Sequence, residues 1–437
     1  MSILNVNKIN PVGGGSTITI AGIASVTSSV TAPSFVGAVT GNVTGNVTGN
    51  VTGNVTGDAT GLSGNPSINT TGIVTATSFV PTVGQFSHRN IVINGAMNVS
   101  QRGSSYTGTN SYGTVDRMAC SHGGTDESPT QAQVDVASGT TPYTLGFRKA
   151  FKITNGNQTS GLGAGDLIQA MRYRVEAQDM ANCGWNYTDP NSFITLSFWV
   201  KSSVSFNMKG YFFHHDGTTQ SYPLETGTLT ADTWTKIERK IPGNSNVTFD
   251  NNNDVGLTIA FGVFGTNFSS ANPPVNQWVT YSSATLTNPS ETTWYTTNDA
   301  TLEFTGLQLE VGSVATPFEH LSFGDELRRC QRYYHRITAG GQYGRFANGQ
   351  CTGSTESQYF VQFPVTMRGA PSFGYGGTIV GYTVDTVKTI SGSITIGNAN
   401  QNTGLLTASL SGLTAGNCVD LIANNDTTAY VEFISEL

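Results

Sequence analysis

Polar and apolar residues alternate along much of this chain with the period of two that a β-strand requires. The strictest case is the tetrapeptide Gly-Asn-Val-Thr, which fills residues 41–56 in four tandem copies and then decays through Gly57-Asp58-Ala59-Thr60. Four is a multiple of two, so in an extended chain the faces never drift. Val43, Val47, Val51 and Val55 share one face with the glycines, and the Asn and Thr residues take the other. A helix would scatter the valines and carry a glycine every turn, at about 1 kcal/mol each. One such strand cannot bury a row of Val and Gly alone. The run therefore predicts a fibrous shaft built with identical copies of the chain, and a flexible low-complexity linker is the other reading. Fully extended, residues 41–61 would span roughly 65 Å. A longer repeat brackets the run: Val30-Thr-Ala-Pro-Ser-Phe-Val36 returns as Val74-Thr-Ala-Thr-Ser-Phe-Val80.

Beyond residue 85 the alternation becomes that of a globular domain. Strands are expected at 147–154, 193–201, 205–214, 234–241, 257–262 and 300–309, divided by turn signals such as Asp216-Gly217 and Pro242-Gly243-Asn244. Many strands with short turns over residues 86–321 predict an antiparallel jelly-roll sandwich. One helix is expected over 322–334, where Ser322 and Asp325 form a capping box and Leu327, Cys330 and Tyr334 share a face. It opens a connector at 322–339. Strands at 359–365, 393–396, 405–410 and 429–434 then predict a smaller β-sandwich tip over 340–437. The fold class is all-β, with a repeat-built shaft over 1–85.

Composition narrows the partners. Charged residues are only 11% of the 437, against roughly 25% in an ordinary domain, so Thr, Ser, Asn and Gly must cover the surface. A formal charge of -7 argues against nucleic acid, and the one short basic stretch is Arg328–Arg336. No run of about 18 apolar residues occurs, so membrane insertion is not expected. The opening residues lack a basic start followed by an apolar run, so no secretory signal is expected. Cys120, Cys183, Cys330, Cys351 and Cys418 are odd in number and widely spaced, which predicts reduced structural thiols.

Three stretches carry a resemblance. Asn90-Ile-Val-Ile-Asn-Gly-Ala-Met-Asn-Val-Ser-Gln-Arg-Gly103, the segment 305–334 with Gly306-Leu-Gln-Leu-Glu310 and Gly324-Asp-Glu-Leu-Arg-Arg-Cys330, and the closing Val431-Glu-Phe-Ile-Ser-Glu-Leu437 resemble bacteriophage tail-fibre proteins. The Ser-Phe-Val and Gly-Asn-Val-Thr repeats are similar to those of phages infecting cyanobacteria. Met118, after Asp116-Arg117, stands where that family usually has Trp. The resemblance implies a virion protein made in the host cytoplasm. It further implies a homotrimer whose partners are two copies of itself, phage tail or baseplate proteins at the N-terminus, and host surface polysaccharide. On that reading removal of 340–437 should leave a folded trimer that no longer adsorbs. A glycan-degrading tailspike and a purely structural spacer are the alternatives.

Glycan binding needs aromatic faces for sugar rings, with amides and charged groups reaching the hydroxyls. Trp185, Tyr187, Tyr211, Phe213, Trp278, Trp294 and Tyr295 are the large aromatics near strand ends and loops. Trp294-Tyr295, set in Thr- and Asn-rich sequence, is expected to be an exposed pair. In the tip, Tyr343, Arg345 and Tyr382 sit in Gly-rich sequence and are further candidate contacts. Hydrolysis needs two carboxylates about 5–9 Å apart. Asp126-Glu127 and Asp325-Glu326 are merely adjacent, so no catalytic residue and no cofactor is assigned. His214-His215 should point to opposite faces of a strand and so not share a metal. Asp250, Asn252 and Asp254 place oxygens at alternate positions, as calcium loops do, but Val255 and Phe261 stand where an EF-hand needs Gly and Glu.

Overall fold

The computed structural model describes residues 88–437 apart from 267, 269, 270, 290 and 385, together with isolated positions before residue 28. The tetrapeptide run, its flanking repeats and the expected shaft lie outside the described residues. Thr77–Leu437 form one compact unit, of which the described part has two β-lobes.

The first lobe holds β1 (Ser105–Thr107), β2 (Ala119–Gly123), β3 (Thr130–Asp135), β4 (Lys149–Thr154), β5 (Leu167–Glu176), β6 (Phe193–Ser202), β7 (Phe206–His214), β8 (Gln220–Leu229), β9 (Thr235–Pro242), β10 (Val255–Gly265), β11 (Val279–Thr280) and β12 (Thr301–Val311). They form two six-stranded antiparallel sheets, β1-β3-β4-β12-β6-β9 and β11-β8-β7-β10-β5-β2. Alternation decides how they face. In β6, Ile194, Leu196, Phe198 and Val200 all enter the core, while Ser197 and Trp199 look outward. Opposite them, Leu257, Ile259 and Phe261 of β10 enter from the second sheet, and Phe198 meets Phe261 at 4.5 Å between ring centroids. Each such side chain contributes about 1.5–3 kcal/mol on burial. The lobe is the expected jelly-roll sandwich. Strands β5 and β8 were not among those expected, because Arg172 and Arg174 interrupt the apolar signal of one and Pro223 and Gly227 that of the other.

Among the described residues four α-helices accompany the sheets: α1 (Thr141–Thr144), α2 (Ala177–Asn182), α3 (Thr293–Thr296) and α4 (Phe323–Gln331). Ser322 caps α4 as expected, its Oγ accepting the Asp325 N–H at 3.2 Å. Leu327 and Cys330 pack with Ile93, Val99 and Tyr333. The helix stops earlier than its periodicity predicts, and Tyr334 leaves its face. Residues 334–338 instead become a strand paired with the chain's last strand, which buries Tyr334 completely.

The second lobe adds β13 (Tyr334–Thr338), β14 (Arg345–Cys351), β15 (Glu356–Gln362), β16 (Ser372–Gly376), β17 (Ile379–Thr383), β18 (Thr386–Thr389), β19 (Thr395–Gly397), β20 (Thr403–Ser409), β21 (Cys418–Ala423) and β22 (Tyr430–Ile434). A three-stranded sheet β13-β22-β16 packs with a seven-stranded sheet β18-β17-β21-β14-β15-β20-β19 over Tyr359, Leu406, Leu421 and Phe433. The connector segment thus supplies a full member of this sandwich.

The stretches that resemble phage fibres meet at the seam. Asn90 Nδ2 donates to the Leu307 carbonyl at 3.1 Å, and Asn90 Oδ1 accepts the Leu309 N–H at 3.1 Å. Gly95 lies so close that an added Cβ would stand 2.0 Å from the Leu307 oxygen, a place only glycine fits. Met118 is a packing residue, fully buried in the first core. Charges then tie the lobes together. Glu436 pairs with Arg102 at 3.0 Å and Arg117 at 2.8 Å, and Arg332 grips Glu176 through two bonds of 2.7 Å. Arg368 reaches the carbonyls of Asn253, Ser435 and Glu436. Truncation at residue 340 would remove Glu436 and Arg368 and leave β13 without its partner β22, while the Arg332–Glu176 pair would remain.

Candidate functional site

Pleating puts alternate residues of a sheet on its outer face, and register sets which of them become neighbours. On β11-β8-β7-β10-β5-β2 two cross-strand rows result. Arg174 of β5 stands beside Thr258 of β10 and Phe213 of β7; one step along, Arg172 stands beside Ala260 and Tyr211. Ala260 is buried with Tyr211 and Leu286, and Thr258 of β10 thus forms the floor of a trough, with the arginines on one side and Phe213 and Tyr281 on the other. Two strand spacings set its width at about 10 Å. It encloses about 190 Å³.

The walls are held in place by their own contacts. Phe213 lies between His215 at 4.3 Å and Tyr281 at 4.5 Å, centroid to centroid. Gln169 Nε2 donates to Tyr211 Oη at 2.7 Å, and the His215 Nε2 and Thr258 Oγ1 atoms are bonded at 2.8 Å. Burial pushes the Tyr211 phenol up to about 12, so it remains a neutral hydroxyl. Burial, with the Arg174 charge and His214 behind it, holds His215 down to about 4.

That depression predicts a pH effect. The ordinary histidine value is near 6.5. The neutral His215 side chain therefore contributes stability that is fully present above about pH 6.5 and is lost as pH falls toward 4. Asp116, raised to about 6 by burial, titrates in the same window with the opposite sign. The comparison is therefore between the parent chain and His215→Gln. Denaturant midpoints of the variant are expected to fall less steeply between pH 6.5 and 4, and parallel curves would remove His215 as the cause.

The sequence candidates divide sharply. Tyr211 borders the trough but is itself buried, packed with Ala260 and Leu286, and its hydroxyl reaches across β10 to Gln169 of β5. Trp294 and Tyr295, expected as an exposed pair, are instead core residues at 0% and 1% exposure. Helix α3 dips them between the sheets, where Trp294 stacks on Phe264 at 4.9 Å and Tyr295 Oη donates to Asp166 at 3.1 Å. Asn155 Nδ2 satisfies their carbonyls, which makes the inward dip affordable. Trp185 is likewise buried, edge-on to Tyr187. The rings of these three are not presented at the surface. In the second lobe, Tyr382 pairs across the sheet with Asp420, and Arg345 reaches the same carboxylate at 2.8 Å. Tyr343 is 57% exposed in the approach to β14. Arg172, Arg174, Gln169 and Tyr281 were missed, although the alternation Met171-Arg172-Tyr173-Arg174-Val175 already placed both arginines on one strand face.

The other candidate chemistry has structural employment. Asp126 accepts from the Ser160 N–H and hydroxyl, Glu127 accepts from the Asn157 N–H, and Asp325 accepts from the hydroxyl of Ser322, the cap of α4. The 250–254 loop is an Asx-rich turn whose Asn252 and Asp254 carbonyls accept the first N–H groups of α2, while Asn252 Oδ1 is taken by the Asp254 N–H. Among the described residues no cluster of three His, Cys, Asp or Glu is placed to hold a metal. His214 is buried against Phe249 and Thr248 while His215 faces the trough, so the two rings do point apart.

No protein-family model matches the chain, and no curated protein matches it in sequence. Among solved structures it is similar to the enzymatically active domain of bacteriophage CBA120 tailspike protein 4, at 10% identity and a TM-score of 0.27, over 51% of this chain but only 21% of that one. It is also similar to a xylan-binding domain from Paenibacillus barcinonensis, at 9% identity and 0.26, over 54% of this chain and 100% of that one. A family 11 carbohydrate-binding module from Clostridium thermocellum, in complex with a mixed-linked tetrasaccharide, gives 13% and 0.22 over 50% and 98%. At such scores none of these likenesses bears on what the trough holds.

Proposed function

We propose that the chain is the receptor-binding subunit of a homotrimeric phage tail fibre, held in the virion by its N-terminal segment, and that it attaches to host-surface polysaccharide through the trough over β10. The observation that carries this reading is the aromatic pair Phe213 and Tyr281 set across Thr258 of β10 from the N–H donors of Arg172 and Arg174. A pyranose presents C–H groups to an aromatic face and hydroxyls to donors and acceptors, and the trough offers both at once. None of its lining residues is a carboxylate. Glycoside hydrolysis requires two, so the trough is suited to holding a glycan rather than cutting it. A shallow site binds weakly, and three copies per fibre would convert that into avid attachment.

The experiment is light scattering on the purified full chain, followed by binding to host cells and host polysaccharide. A trimer that binds both is expected, with Tyr281→Ala weakening the single-site affinity up to about tenfold. A monomer would sink the fibre reading. Unchanged affinity in the variant would move the sugar elsewhere, and the Tyr382, Asp420 and Arg345 row would be tested next.

A further inference from the structure

On the arginine wall of the trough, the charge of Arg172 meets no partner among the described residues. Arg172 and Arg174 are two residues apart on one face of β5, and no carboxylate lines the space before them. Among the described residues the Arg172 side chain has no hydrogen-bond or ion-pair partner, and its Nε is buried without one. The Nε of Arg174 is buried and unpartnered too; its Nη1 donates to the Leu437 carbonyl at 2.8 Å. Arg89, Arg148, Arg239, Arg336 and Arg368 each donate to carbonyls or a hydroxyl, and others have a carboxylate. Arg102, Arg117, Arg332 and Arg345 each meet a carboxylate within 3.0 Å.

Buried polar groups are paired in folded proteins almost without exception, and an unpaired one asks for a cause. Here the cost is compounded by two like charges side by side. Burial and the adjacent Arg172 lower the Arg174 pKa, the direction expected where a counter-charge is missing. A planar guanidinium presents a fork of N–H donors that fits a carboxylate through two parallel bonds. The β5 and β7 backbones lie about 10 Å apart across β10, and Arg172, Phe213 and Tyr281 line the same space. A sugar lying against those rings would direct an acidic substituent at Arg172.

We infer that the trough selects an acidic sugar, with the carboxylate of a uronate-type residue seated on Arg172 and Arg174 and the ring against Phe213 and Tyr281. The inference rests on the reading of the trough as a sugar site and adds the charge class of the sugar. It also gives Arg172 a role as the residue that sets specificity, while the aromatic wall serves acidic and neutral sugars alike.

The test is calorimetric titration of the full chain with paired oligosaccharides: a uronate-containing set with its carboxyl-reduced counterparts, and a sulfated set with its desulfated counterparts. At least a tenfold preference for the uronate over its reduced form is expected, equivalent to about 1.4 kcal/mol. Arg172→Gln should abolish that preference while Tyr281→Ala weakens both forms. Arg172→Lys should retain the salt dependence of binding but lose most of the affinity, since it keeps the charge and not the fork. Because Arg172 has no partner to lose, the unfolding midpoint of Arg172→Gln should match the parent or exceed it, so a loss of binding cannot be put down to misfolding. Equal binding of acid and reduced forms, or a preference that survives Arg172→Gln, overturns the inference. A preference confined to the sulfated set would overturn the carboxylate and assign the arginines to sulfate. Neutral binding that Tyr281→Ala removes would leave the sugar site standing without its acidic selectivity. Failure of every pair to bind would sink both.

Discussion

Glu436→Gln is expected to cost the folded chain about 3–5 kcal/mol. The carboxylate lies 3.0 Å from Arg102 and 2.8 Å from Arg117, and the three side chains are 7%, 7% and 1% exposed. Arg117 lies over the Tyr333 ring at 3.5 Å and Arg102 over Tyr334 at the same distance, so neither guanidinium can swing out to water without unpacking the seam. Removing the charge leaves two buried cations with Asp116 as the one carboxylate near Arg102, at 3.7 Å. A buried charge stripped of its partner is far costlier than the pair is favourable. The measurement is denaturant unfolding of the full chain and the variant, followed by tryptophan fluorescence. A loss below about 1 kcal/mol would mean that the seam is wet and the lobes are separable. Tryptophans reside only in the first lobe, so a change in its transition caused by a residue of β22's tail would itself report the coupling.

Trp294→Ala is expected to cost about 3–5 kcal/mol as well, for a different reason. Its ring is fully buried and stacked on Phe264 at an interplanar angle of 14°, with Tyr295 beside it against the same phenylalanine. Truncation opens a cavity between two sheets that are pinned by backbone hydrogen bonds and cannot collapse into it. Trp294→Phe, which keeps a ring in the space, should cost much less. The outcome separates the two roles proposed for aromatics in this lobe. A surface sugar platform such as Tyr281 loses ligand and keeps stability, whereas Trp294 loses stability first. Unfolding midpoints of the two alanine variants compare them directly, and a Trp294→Ala midpoint equal to the parent's would return that residue to the surface.

How far these roles were legible in the sequence can be judged residue by residue. Period-two alternation located β4, β6, β7, β9, β10 and β12 to within a few residues, since a half-buried strand must alternate whatever it packs against. It likewise placed His214 and His215 on opposite faces, which the structure bears out. The helix cap at Ser322 was legible because capping is a local contact. The end of α4 was not, because β22 competes for residues 334–338 from almost a hundred positions away. Trp294 and Tyr295 were misjudged for a related reason: polar neighbours suggest exposure, but α3 is short enough for its two aromatics to point in while its threonines point out.

Local periodicity, turn chemistry and composition determined the all-β class, the two strand-rich lobes and the face on which each strand residue lies, because all of these depend on residues close in the chain. Tertiary structure decided which faces meet. Arg172, Arg174, Thr258, Tyr211 and Phe213 come from three strands spread over about ninety residues, and only their register sets them around one trough. The same holds at the seam, where Glu436 answers Arg102 and Arg117 from more than three hundred residues away. A charge's partner is a matter of distance in space, and that distance does not exist until the sheets have paired.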